Sequence, residues 1–255
     1  MPRPSFGLRS LLALCLALPS LCRAGLPETI EKVKPSILAI GTYERTRSPQ
    51  LRLMGTGFVI GDGNLAVTNA HVVRTPMDIE TGEKLIVLAR TPSGALETRE
   101  AVKVAFDPEH DLALLKISGS KLPAMVLGAD DTIREGEAVA FTGFPIVGVL
   151  GPYPATHRGI VAAIAPVAIP GANANQLSAK LIRRLNTGAF NILQLDATAY
   201  PGDSGSALYN PETGEIVGII NMVLVKSTKE SAITNPSGIT YAIPVKYLRE
   251  ILKDR

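Results

Sequence analysis

Ala199-Tyr200-Pro201-Gly202-Asp203-Ser204-Gly205-Ser206-Ala207-Leu208 sets a serine between glycines, just ahead of a short apolar run. Gly202 and Gly205 carry no Cβ, so the backbone there can bend sharply and approach another chain closely. Curled suitably, such a loop turns the N–H groups of Gly202 and Ser204 toward one point beside the Ser204 hydroxyl. A developing oxyanion would sit at that point. The other reading is an ordinary Pro-Gly-Asp-Ser-Gly turn between strands, because those residues dominate turns. The loop alone leaves both open.

The surroundings are rich in short β segments. Upstream of the loop, Ile192 to Asp196 reads as a strand, and Ser206 to Tyr209, Ile216 to Leu224 and Gly238 to Ile243 follow it. The first half has the same style, with Ser36–Ile40, Gly57–Ile60, Leu65–Thr68, Lys84–Leu88, Glu100–Ala105 and Asp111–Ile117. Gly61-Asp62-Gly63-Asn64 predicts a hairpin between the second and third of these. Lys121 to Asp131 reads as an irregular crossing between halves, and Glu137–Gly143 and Gly159–Ile164 resume the strands. Short strands with frequent turns predict an all-β barrel or sandwich, not alternating βα units. Two stretches stand apart. Leu26 to Lys34 reads as a helix or turn ending before Pro35, and Val245 to Lys253, after Pro244, predicts an amphipathic C-terminal helix on the second half. Gln176 to Leu185 has helical spacing and three basic residues. It reads as a mobile insertion near the site or as a solvated surface turn.

Residues 1–24 show the pattern of a secretory leader: Arg3 and Arg9, the apolar Leu11 to Leu18, then small residues before Gly25. The apolar run is too short to span a bilayer, so no stable membrane insertion is expected after cleavage. Of the 26 Lys+Arg, Arg3, Arg9 and Arg23 lie in the leader, leaving 23 against 23 Asp+Glu. Net charge therefore gives no case for a nucleic-acid or anionic-membrane partner. Both cysteines, Cys15 and Cys22, also fall in the leader, so the remaining domain, residues 25–255, is expected to hold together by its core without disulfides. An exported protein of a bacterial periplasm, or a secreted one, fits this best. None of the three histidines is spaced for zinc, and no cofactor or metal is expected.

Two further stretches bear on the serine. Thr68-Asn69-Ala70-His71-Val72-Val73 ends a strand on a histidine, and His110-Asp111-Leu112-Ala113-Leu114-Leu115-Lys116 opens one on an aspartate. A serine hydroxyl needs a base near neutral pH, and a neutral imidazole can serve. A buried carboxylate fixes the tautomer of that imidazole and steadies the imidazolium. Singly, His71 reads as a core or surface histidine and Asp111 as a cap. Together the order His71, Asp111, Ser204 matches barrel-type serine proteases and not the other known orders.

These three blocks resemble the catalytic blocks of trypsin-like serine proteases, most of all the bacterial HtrA/Deg branch. Gly55-Thr56-Gly57-Phe58-Val59-Ile60, Gly159-Ile160-Val161, Gln194-Leu195-Asp196-Ala197, Gly214 to Ile219 and Gly238 to Pro244 add to the resemblance. It implies two six-stranded antiparallel β-barrels, about 35–120 and 132–245, with the catalytic cleft between them. It also implies catalytic His71, Asp111 and Ser204, and an oxyanion hole from Gly202 and Ser204. Substrate-binding positions would be Thr198, Asn221, Met222, Val223 and Ile239. Asn221-Met222-Val223 would pair with a polypeptide substrate as an added strand. Branched Val223 and Ile239 would narrow the primary pocket, favouring small aliphatic side chains.

The sequence departs from that pattern in places. HtrA proteases usually carry PDZ domains after the protease, whereas this sequence stops at Arg255, so peptide sensing by an attached module is not expected. Asp203 stands where HtrA members commonly have asparagine. In pancreatic-type relatives this aspartate pairs with a new N-terminal ammonium, but Gly25 lacks the Ile-Val start that route needs. A buried Asp203 still requires a partner, and the sequence names none. Rival functions are a latent or inactive protease-fold binding or chaperone-like protein, and an esterase with the same machinery. An oligomer is possible but nothing in the sequence argues for one.

Overall fold

The structure is a computed structural model describing residues 25–74, 81–91, 94–129, 133–146, 151–166, 190–221 and 238–253. The proposed leader, residues 1–24, and the whole of the basic insertion, residues 176–185, therefore lie outside the described residues. Helix α1 (Leu26–Val33) starts on a proline in its first turn and carries Glu28 early and Lys32 late, as the helix dipole favours. Pro35 closes it through a short 3₁₀ turn, Lys34–Ser36. Thr29 and Val33 are its buried residues, and Lys32 Nζ donates to the Thr213 carbonyl at 3.4 Å.

Twelve strands follow among the described residues: β1 (Ile37–Tyr43), β2 (Leu51–Ile60), β3 (Leu65–Asn69), β4 (Lys84–Arg90), β5 (Leu96–Asp107), β6 (Leu112–Ile117), β7 (Ala138–Gly143), β8 (Ala155–Pro166), β9 (Asn191–Asp196), β10 (Ala207–Tyr209), β11 (Ile216–Asn221) and β12 (Ile239–Pro244). They close into two six-stranded antiparallel barrels, in the orders β1-β2-β3-β6-β5-β4 and β10-β11-β12-β9-β8-β7. The fold is the all-β, two-barrel architecture that the resemblance implies. β2 begins six residues earlier than Gly57, because a bulge at Ile40/Gly41 lets Leu51–Leu53 extend the pairing with β1.

β6 shows how the run Leu112-Ala113-Leu114-Leu115 is used. Leu112 and Leu114 join a core continuous with Tyr209 and Ile219 of the second barrel. Ala113, Leu115 and Ile117 point the other way, into a core confined to the first barrel. A third core, with Phe141, Val161, Leu195 and Ile220, belongs to the second barrel. Full burial of each large side chain, such as Phe58 or Leu114, contributes about 2 kcal/mol. The shared core ties the barrels into one body, and that fixes any site built between them.

The crossing is more regular than the sequence implies. Met125 N–H donates to Val59 of β2, Ile216 N–H of β11 donates to Val126, and Gly128 N–H donates back to Ile216. The segment thus pairs with both barrels, which apolar periodicity alone cannot reveal. The C-terminal helix, α2 (Val245–Lys253), also reaches past the second barrel. Tyr247 stacks on His110 of the first barrel, ring centroids 4.4 Å apart.

His110 Nδ1 meets Asp107 Oδ2 at 2.7 Å beneath that stacked ring. Burial pushes the Asp107 carboxyl up, but the hydrogen bonds and charge of His110 outweigh it and hold it low. Burial pushes His110 down, and Asp107 outweighs that and holds it high. The histidine's contribution is complete below 6.5 and is lost as pH rises through its raised native value. The carboxylate's is complete above 3.8 and is lost as pH falls through its lowered native value. Asp107→Asn keeps an acceptor and removes the charge, so it should lower the melting temperature more at about pH 5.5 than at about pH 9. Calorimetry at both values checks this, and an equal drop would remove the charge from the account.

Candidate active site

The site starts from Asp111, the turn residue just ahead of β6, in the left-handed region at φ 56°. Aspartate tolerates that conformation better than most residues. Here it lets backbone and side chain serve the same neighbour. The Asp111 carbonyl accepts Ala70 N–H at 3.0 Å and Asn69 Nδ2 at 3.1 Å. Its Oδ1 accepts the backbone N–H of His71 at 2.8 Å, and its Oδ2 meets His71 Nδ1 at 2.6 Å. A carboxylate accepts, so Nδ1 carries the proton and Nε2 keeps its lone pair. That is an oriented base.

The Tyr200–Ser206 loop lies against the first barrel, and Thr56 of β2 holds it there. Thr56 N–H donates to the Ser204 carbonyl at 2.9 Å, and its hydroxyl donates to the Gly202 carbonyl at 2.7 Å. With both carbonyls engaged, the N–H groups of Gly202 and Ser204 donate no hydrogen bond among the described residues. Gly205, at φ 88°, packs so tightly that a Cβ would overlap the Thr56 carbonyl and lie 3.2 Å from Asn69 N. A Cβ on Gly55 would meet Val72 at 2.8 Å and the Ser204 carbonyl at 3.0 Å. These close approaches bring the serine loop beside the segment that carries His71. Ile146, a β-branched residue at φ 44°, donates its N–H to Pro201 at 2.7 Å. It is backbone strain spent on holding the loop.

Ser204 is buried, 7% exposed. No hydrogen bond joins His71 to Ser204 among the described residues; the two polar contacts of His71 both run to Asp111. Such contacts are often long without substrate and tighten when it binds. A base with a fixed tautomer, a serine nearby and two unengaged N–H groups together suit attack on a carbonyl carbon.

A family model described as "Trypsin-like peptidase domain" matches residues 55–219. The chain belongs to the trypsin-like peptidase family. It is 32% identical to "Serine protease HTRA2, mitochondrial" of Bos taurus over 88% of this chain and 42% of that protein. It is 29% identical to "Probable periplasmic serine endoprotease DegP-like" of Pseudomonas putida, over 78% of this chain and 34% of that one. The chain thus spans less than half the length of these relatives. Among solved structures it resembles "HtrA-type protease AlgW with tripeptide", at TM-score 0.62 and 29% identity, covering 89% of this chain and 62% of that one.

Within this trypsin-like frame, the side chain of Asn221 has a partner that the sequence did not indicate. It is 1% exposed at the end of β11, and its Nδ2 donates to Asp111 Oδ2 at 2.7 Å. The side chain steadies the carboxylate across the barrel junction, whatever its backbone does with substrate. Met222 and Val223 lie outside the described residues. Thr198 is half-buried and flanked by a brace: Thr240 donates its hydroxyl to Ala197 O at 2.7 Å and accepts Ala199 N–H at 3.1 Å. Ile239 pairs with Asp196 and is 45% exposed. Thr56, Thr240 and the amide of Asn221 are the side chains that reading the sequence missed. All three stood inside stretches already singled out, Thr240 within Gly238 to Pro244, but nothing in those stretches gave their partners. Among the described residues no cluster of three or more His, Cys, Asp or Glu could hold a metal ion, and no helix is long and apolar enough to cross a membrane.

Proposed function

We propose that this chain is a serine endopeptidase in which Ser204 is the nucleophile, His71 the base and Asp111 its orienting carboxylate. The observation that carries this reading is the 2.6 Å bond of His71 Nδ1 to Asp111, which leaves Nε2 as the acceptor. Nε2 takes the Ser204 proton as Oγ attacks the scissile carbonyl. The N–H groups of Gly202 and Ser204 receive the oxyanion, whose charge they stabilise only as it forms. His71 then passes its proton to the leaving amine, and water repeats the sequence to free the acyl group.

Polypeptides are the proposed substrates, supported by a neighbour named as an HtrA-type protease with a tripeptide. Selection of small aliphatic side chains by Thr198, Val223 and Ile239 is part of the proposal. So are the leader, residues 1–24, and action in the periplasm or outside the cell. A relative named as periplasmic supports that location, and one named as mitochondrial shows that the family is not confined to it. The missing His71–Ser204 hydrogen bond favours a second reading, a latent protease-fold binding protein.

Incubation of the purified chain with unfolded casein, beside Ser204→Ala, separates the two. Cleavage that vanishes in the variant, with cuts after Val, Ala or Thr, is the expected result. Casein left intact by the unsubstituted chain would favour the latent reading. Cuts after Lys or Arg would remove the pocket assignment.

A further inference from the structure

One buried polar cluster has no part in the chemistry above. Asp203, between the two proposed oxyanion donors, is 0% exposed. Its Oδ2 accepts the Tyr200 N–H at 2.8 Å, and its Oδ1 has no hydrogen-bond partner. His157, from β8, brings Nε2 to 3.9 Å from Asp203 Oδ2, and that nitrogen is buried and unpartnered as well. Ser206 Oγ is a third orphan. It shares with Asp203 Oδ1 the space left where Gly143 lacks a Cβ, the carboxylate oxygen lying 2.6 Å from that point. Buried polar groups nearly always find partners, so three orphans around one carboxyl call for an explanation.

The ring of His157 is fixed in place. It stacks on Phe141 with centroids 5.0 Å apart and lies 5.9 Å from the Tyr200 ring. Around Asp203, β2 contributes Thr56, β7 Gly143 and the approach to β10 Ser206, while Thr142 of β7 and Tyr209 of β10 hydrogen-bond each other. The Tyr209 phenol is pushed up by burial and stays neutral. Arg158, next to His157 on β8, is exposed. Across Ser204, the first barrel contributes the His71–Asp111 pair. His157 is therefore the group that can exchange a proton with Asp203.

We propose that His157 is a positioning residue for the reaction at Ser204: with Asp203 it holds one shared proton, which keeps the Tyr200–Ser204 turn shaped to aim its N–H groups. The inference rests on the reading of Ser204 as nucleophile. With one proton the pair is neutral overall, as carboxyl and imidazole or as carboxylate and imidazolium. Losing it leaves a lone buried carboxylate, and gaining a second leaves a lone buried cation. Either net charge is costly in a dry site, and opening the turn to water relieves it. The same burial moves the pKa values of the two groups toward each other. Burial pushes Asp203 up to about 7 against the pull of the Tyr200 N–H, and burial holds His157 below its ordinary value.

Two readouts test this. The full chain has three histidines, so nitrogen-15 spectra of the rings can be followed one by one. The His157 ring should respond to pH in two steps, because it senses both protons of the pair, and in one step after Asp203→Asn. One step in both proteins overturns the shared proton, and this readout needs no activity. The second readout is the rate at which a fluorophosphonate labels Ser204. On the alkaline side it should fall about tenfold per pH unit once the shared proton is lost. His157→Gln should move that fall to lower pH, since Asp203 then holds its proton alone, and Asp203→Asn should abolish it. Superimposable profiles for the three proteins overturn the positioning role. Absence of labelling in the unsubstituted chain at every pH overturns the nucleophile instead, so the two failures are distinct.

Discussion

Replacing His71 by alanine should slow acylation of Ser204 by about 10⁴- to 10⁶-fold, because it removes the base that accepts the serine proton. Asp111→Asn should cost about 10⁴-fold by another route. The imidazole would remain, but an amide at position 111 can present N–H to Nδ1, which leaves the proton on Nε2, where it cannot serve. The Asn221 amide, already 2.7 Å from Asp111 Oδ2, has no carboxylate to steady in that variant. Groups that act as a unit are not additive, so His71→Ala combined with Asp111→Asn should be no slower than His71→Ala alone. Second-order labelling rates of the three variants check this. A double variant slower by the product of both effects would mean that the two residues act independently.

Gly205→Ala should destabilise the protein by about 3 kcal/mol or more and abolish labelling with it. Two costs add at this position. The backbone sits at φ 88°, where an L side chain is strained by about 1 to 2 kcal/mol. A Cβ there also overlaps the carbonyl of Thr56, in the first-barrel strand β2 that the loop packs against, and backbone cannot give way cheaply. Gly61 separates the two costs. It is also left-handed, at φ 64°, but open space surrounds its missing Cβ. Gly61→Ala should therefore cost about 1 kcal/mol and leave labelling intact. Equal losses for the two variants in denaturant melts would mean that close packing of the loop on Thr56 plays no part.

The sequence is most legible where chemistry and local pattern coincide. The serine loop, His71 in the 3₁₀ turn just after β3 and Asp111 just ahead of β6 each lie in short stretches whose residue types already imply a role. The strands are legible because β6 and its neighbours are apolar runs cut by turn residues. Partners distant along the chain are not legible. Thr56 reaches Gly202, 146 positions away, and Asn221 reaches Asp111, 110 positions away, and nothing near either residue records the other. His157 lies in a strand whose pattern gives no hint that its ring faces Asp203. The helix α2 shows its apolar face in its spacing, but not that Tyr247 of that face covers His110 as well as the second barrel.

The most direct test of the central claim is to label the full chain with a fluorophosphonate and map the modified residue by mass spectrometry. One phosphonyl group per chain, on Ser204 and absent from His71→Ala, is the predicted result. Labelling at another residue, or labelling of Ser204 that survives loss of His71 at an unchanged rate, would contradict it.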